Sequence, residues 1–71
     1  MIIIVKDGTE ESPFATEITT IGELFQSTDF VEDNSVPGGA IPTLNGQRVG
    51  NETAITSGSV VGWDRPVSDK G

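Results

Sequence analysis

The groups whose types and spacing could do chemistry in this sequence are its carboxylates, 11 Asp and Glu among 71 residues. To these is added a closing stretch, Ser68-Asp69-Lys70-Gly71, that ends on a glycine. Paired carboxylates can share acid and base work, and grouped ones can ligate calcium. Asp29, Glu32 and Asp33 are close together, yet they miss the EF-hand spacing, its central glycine and its twelfth-position glutamate. The breaker-rich stretch "NSVPGG" (34–39) is no phosphate cradle, because G-x-x-x-x-G-K-[ST] is absent and no lysine stands nearby. Histidine and cysteine are both missing. The chain therefore lacks the usual proton-transfer base near neutrality, a thiol nucleophile and the commonest metal ligands. A domain this short also leaves little room for a substrate cleft beside its core. Catalysis is not expected, and no cofactor or metal is implied.

The formal charge of −7 is unevenly placed. Asp7, Glu10, Glu11, Glu17, Glu23, Asp29, Glu32 and Asp33 precede residue 36 against Lys6 alone. Beyond it, Glu52, Asp64 and Asp69 balance Arg48, Arg65 and Lys70. Phosphate backbones would meet like charge, so nucleic acid is excluded as a partner. The acidic half is either a solvated face or a patch that steers toward a basic protein. No run reaches the roughly 20 apolar residues of a membrane helix, and Met1 to Val5 is too short for a signal core. A cytoplasmic setting and a protein partner are the expectation.

One further pair invites contact. Trp63, the single tryptophan, stands two residues from Arg65 in "GWDRP". Both types are favoured interface anchors, and residues two apart on a strand share a face. Trp63 and Arg65, together with Arg48, are the expected partner-binding residues. The competing reading places Trp63 in the core.

The elements that must position these residues follow from periodicity. Ile2-Ile3-Ile4-Val5 is a β-branched run, a central strand covered on at least one face. Asp7-Gly8 signals a hairpin, and "PFATEIT" (13–19) alternates as its second strand, with Pro13 at an edge. Thr20 and Glu23 read as a capping box for a short helix over 21–28, whose Ile21, Leu24 and Phe25 form one apolar stripe. Gly22 weakens that helix, and Phe30 with Val31 completes the core from a second turn or an irregular segment. Asn45-Gly46 is a strong hairpin turn, Ser57-Gly58 another turn, and 59–65 the last strand, ended by Pro66. The prediction is one α+β domain over 1–66 with a flexible tail over 67–71. Its mixed sheet has four or five strands with one helix packed across it, and its first and last strands lie parallel in the centre.

This order resembles the β-grasp, or ubiquitin-like, fold. More narrowly it resembles the small sulfur-carrier proteins of thiamin and molybdopterin synthesis. "TTIGELF" is similar to their threonine-started helix, "TLNGQRV" to their hairpin, and "TAITSGSVVGWDRPVSDKG" to their closing turn, strand and tail. The resemblance implies a glycine terminus, here Gly71, activated by a partner adenylating enzyme. Two departures bear on that implication. Lys70 stands where the carriers have a second glycine, and Ser59 where they have an aspartate. A lysine brings a Cβ and a charge into a channel that a glycine pair would thread freely. In this the chain is closer to compact Lys-Gly-ended proteins of phages and mobile elements. The leading expectation is a non-enzymatic ubiquitin-like interaction module; the alternative is a carrier or modifier activated at Gly71.

Overall fold

In the computed structural model, residues 1–65 are described, and the whole of the expected tail over 67–71, with Lys70 and Gly71, lies outside them. Five strands form one sheet: β1 (Ile2–Asp7), β2 (Glu10–Ala15), β3 (Ile41–Leu44), β4 (Gln47–Arg48) and β5 (Val60–Asp64). Their order is β2-β1-β5-β3-β4. β1 and β5 run parallel, with Ile4 beside Val60 and Val5 beside Val61, while every other pairing is antiparallel. The architecture is thus a small α+β domain with a mixed sheet, and the first and last described strands are neighbours at its middle. No helix among the described residues is long and apolar enough to cross a membrane.

The single helix expected over 21–28 is instead two, α1 (Ile21–Gln26) and α2 (Thr28–Asn34). Ser27 separates them in an extended conformation, φ −75 and ψ 124. Its N–H closes α1 on the Leu24 carbonyl, and its own carbonyl accepts the Val31 N–H that opens α2. The break re-aims the chain so that Phe30 enters the core, where it is fully buried. Seven apolar side chains make that core: Ile3, Val5, Ile21, Leu24, Phe30, Ile55 and Val61. All three strand members sit at alternate positions, which is the one-face periodicity of a half-covered sheet.

The second strand also differs from its expected bounds. β2 starts at Glu10 because the Gly8-Thr9 turn pairs Asp7 with Glu10. Gly8 there has φ +66, a conformation that costs glycine little. Pro13 therefore falls in the middle of β2 and not at its entry, but still on an edge strand. The hairpin at Asn45-Gly46 joins β3 to β4 as expected, both residues having positive φ (54 and 88). Asn45 adds a clasp between β3 and β5: its Oδ1 accepts the Val60 N–H and its N–H donates to the Val60 carbonyl.

Helix α1 is capped in an unforeseen way. Thr20 is its N-cap residue but makes no side-chain cap bond; its hydroxyl donates to Glu23 at 3.3 Å instead. The free N–H groups of Ile21 and Gly22 donate to the Thr53 and Asn51 carbonyls, at 3.0 and 2.8 Å. The 51–53 turn thus satisfies the donors that a side chain usually takes. Ser59, at the position where the resembled carriers have aspartate, is buried and accepts the Thr56 N–H at 3.2 Å, holding the turn before β5.

Candidate interaction site

Residues paired across strands share a face, so the register sorts every strand residue onto one side of the sheet or the other. The helix side carries Ile3, Phe14, Val5, Val61, Leu44 and Trp63. The opposite side carries Ala15, Ile2, Pro13, Ile4 and Val60 at one end. Toward the other end it carries Glu11, Lys6, Gly62, Thr43 and Arg48, then Asp64 and Ile41. Both helices are on the helix side with the core, and among the described residues nothing covers the opposite one. Ile2 is 49% exposed there, and Ile4, Val60 and Ile41 are half-buried.

Gly62 shapes the middle of this open face. A Cβ at Gly62 would lie 3.1 Å from the Thr43 hydroxyl and 3.2 Å from the Lys6 carbonyl. With no side chain at that point of the central strand, the surface dips into a hollow of about 630 Å³. Lys6, Glu11, Thr43, Asn45, Val60 and Asp64 are among its walls. At its far rim the Arg48 Nε donates to Asp64 at 2.9 Å, both side chains being largely exposed.

The expected partner-binding residues take three positions in the fold. Trp63 lies on the helix side, half-buried, its ring edge-to-face with Phe25 at 6.4 Å and with Phe30 at 6.2 Å. Arg48 lies on the open side with Asp64. Arg65 is exposed just past the end of β5. Trp63 and Arg48 are thus on opposite sides of the sheet, since Arg48 is level with Thr43 and Gly62, the neighbour of Trp63 on β5. Gly71 and Lys70 lie outside the described residues. Sequence reasoning missed Ile2, Ile4, Val60 and Gly62. Their signal is the uninterrupted "IIIV" run: a strand apolar on both faces, next to a sheet whose helices can cover only one.

The two sheet edges offer little backbone. Met1 and Thr16 exchange both of their N–H···O bonds, at 2.9 Å each. Antiparallel alternation then makes Ile3–Phe14 and Val5–Ser12 the bonded pairs, so the backbone of Pro13 points outward. Proline has no N–H, and the middle donor of that edge is missing. The other edge, β4, is two residues long. Addition of a partner strand is disfavoured on both sides, which leaves the open face as the larger surface.

The acids collect elsewhere. Asp7 and Glu10 at the first hairpin, with Asp33 of α2, border a second hollow of about 420 Å³ on the helix side. Among the described residues no carboxylate group is arranged to hold a metal ion. Compared with family models, curated proteins and solved structures, the chain matches none.

Proposed function

We propose that this chain is a β-grasp, ubiquitin-like interaction module that works by contact between proteins and catalyses nothing itself. The observation that carries the reading is the open sheet face. It leaves Ile2 49% exposed beside half-buried Ile4 and Val60, in a domain that buries Ile3, Val5 and Val61 against two helices. Contiguous apolar surface with a polar rim marks a contact site in a small protein. The β-grasp part of the reading is supported by the parallel β1–β5 pair at the sheet centre and by the helices lying between the two hairpins in sequence. A non-catalytic role is supported by a sequence without histidine or cysteine. A cytoplasmic setting, free of disulfide demand, belongs to the same proposal.

The test is capture from native extract with an N-terminally tagged chain. Wild type is expected to retain a defined protein that Ile2→Lys, placed on the open face, loses. Retention unaffected by Ile2→Lys, while a helix-side variant such as Asp29→Lys loses it, overturns the choice of face.

A second reading is favoured by the same topology joined to the sequence of the tail: a carrier activated at Gly71. Its support is the position of β5 beside β1 and the likeness of "TLNGQRV" to the carriers' hairpin. Intact mass after incubation with an adenylating enzyme and ATP is the measurement. An adenylate or thiocarboxylate on Gly71 supports the carrier, and an unchanged mass with that enzyme active on its own substrate removes it.

A further inference from the structure

We propose that Asn45 is a modification site gated by the fold. Its side-chain amide is lost by cyclisation onto Gly46 when the β3–β4 hairpin opens, and is preserved while the hairpin is closed. The inference is independent of which face of the sheet meets a partner.

The chemistry is intramolecular. The Gly46 backbone nitrogen attacks Cγ of Asn45 and bonds to it, the Cγ–Nδ2 bond breaks, and ammonia leaves with the proton that the attacking nitrogen gives up. The product is a five-membered succinimide. Water then adds to one of its two carbonyls and opens the ring, to aspartate by one cleavage and to isoaspartate by the other. Of the asparagines at 34, 45 and 51, Asn45 alone precedes a glycine, whose missing side chain leaves the attacking nitrogen uncrowded. Asn34 precedes Ser35, and its Nδ2 is held by the Phe30 carbonyl at 2.9 Å. Asn51 precedes Glu52. Asn45 and Gly46 are both exposed, so water reaches the ring and ammonia departs freely.

The closed hairpin opposes this reaction in two ways. The φ angles of Asn45 and Gly46, 54 and 88, are those of a mirror-image type I turn, whose first central residue has ψ of about +30°. At that angle the bond to the Gly46 nitrogen lies nearly opposite the Cα–Cβ bond of Asn45. Ring closure needs the two on the same side. The side chain is also tethered toward β5: its Oδ1 accepts the Val60 N–H at 3.0 Å, and the Asn45 N–H donates to the Val60 carbonyl at 2.7 Å. Turn and tether must both yield before Cγ meets the nitrogen.

The unit that opens is small. β4 is two residues long and pairs with β3 only at Thr43–Arg48 and Leu44–Gln47. Its outer tie, Arg48 to Asp64 at 2.9 Å, is largely exposed. Elements with few buried contacts open at a lower free energy than the whole domain. The rate of modification therefore follows the fraction of time this hairpin is open. Aspartate lets the turn close again, since it tolerates positive φ and its carboxylate accepts the Val60 N–H. Isoaspartate adds a methylene to the backbone, so a two-residue turn no longer sets Leu44 against Gln47. Opening of the hairpin is thus recorded in the chain as a one-way change.

The test follows Asn45 in the full chain by peptide mapping with isoaspartate detection, in neutral buffer across a urea series. Far-UV circular dichroism marks the global transition. Modification in water is expected at least about tenfold slower than in fully unfolding urea, and to rise at urea concentrations below the global transition. Arg48→Ala removes the outer tie and should raise the rate in water about twofold to fivefold, with its rate in full urea equal to that of wild type. A rate in water within about twofold of the unfolded rate overturns the gate. A rate that rises only with global unfolding, or is indifferent to Arg48→Ala, overturns the hairpin as the opening unit. Loss of ammonia first at Asn34 or Asn51, or none at Asn45 even in full urea, overturns the site.

Discussion

Alanine in place of Gly22 should destabilise this domain, against the ordinary preference of helices. In an exposed helix interior the change gains about 1 kcal/mol from propensity alone. Here the new Cβ would stand 2.8 Å from the Asn51 Cβ and 3.1 Å from the Asn51 carbonyl oxygen. Carbon pairs settle at about 3.5–4.0 Å, so the 51–53 turn must retreat by about 1 Å. Neither Asn51 atom is the free end of a flexible side chain. The retreat stretches the Gly22 N–H bond to the Asn51 carbonyl, now 2.8 Å, and strains the Ile21 bond to Thr53 beside it. Crowding of this kind costs about 1–3 kcal/mol, and a weakened hydrogen bond about 1 kcal/mol more. Set against the propensity gain, the net loss is about 1–3 kcal/mol. Urea unfolding followed by far-UV circular dichroism reads it as a lower midpoint at unchanged slope. Each kcal/mol corresponds to a melting shift of about 4–8 °C in a domain of this size. Asn51→Gly removes the nearest atom, so the double mutant should recover about 1 kcal/mol beyond additivity. A Gly22→Ala protein with a raised midpoint, or a cycle that adds without coupling, would refute the close approach of turn and helix.

Two other substitutions probe the same scaffold. Trp63→Ala should cost about 2 kcal/mol, less than a fully buried aromatic because the ring is half-exposed but more than a surface residue because it meets Phe25 and Phe30; a thermal melt unchanged from wild type would place the ring outside the core. Asn45→Ala should cost about 2 kcal/mol in chemical denaturation, the sum of a left-handed conformation at φ 54 and the lost clasp on the Val60 N–H. Asn45→Gly, which keeps the conformation and loses only the clasp, should recover about half of that.

What the sequence discloses and what it hides divide along physical lines. Asn45-Gly46 is legible because the turn's requirement, positive φ at both residues, is local. The central placing of "IIIV" and "VV" is legible because parallel neighbours need apolar flanks on both sides. The helix break is not. Ser27, Thr28 and Asp29 each suit a helix start, but only the demand that Phe30 reach the core selects Ser27 as the joint. Gly22 reads in sequence as a weak point in the helix, and the structure gives it a reason in Asn51, about thirty residues away along the chain. Trp63 and Arg48 share composition-based credentials as anchors. Which side of a sheet each occupies depends on register, and register is set by strands that the residues themselves do not belong to.

The open face admits a last discrimination. Among the described residues the two helices cover one side of the sheet and leave the other open. A face left to water is ordinarily polar, and lysine, threonine and glutamate are inexpensive there. Ile2 and Ile4 depart from that rule, and such departures point either to hidden structural need or to contact. Changing both to threonine separates the two, since threonine keeps the β-branched shape and strand preference while removing apolar surface. If the face serves contact, the variant should stay within about 1 kcal/mol of wild-type stability in urea, because Ile2 is already 49% exposed and Ile4 half-buried. Its retention of a captured protein should fall at least about tenfold. A loss of folding stability beyond about 3 kcal/mol would mean that these isoleucines hold the sheet together, and the case for a docking surface would go with it.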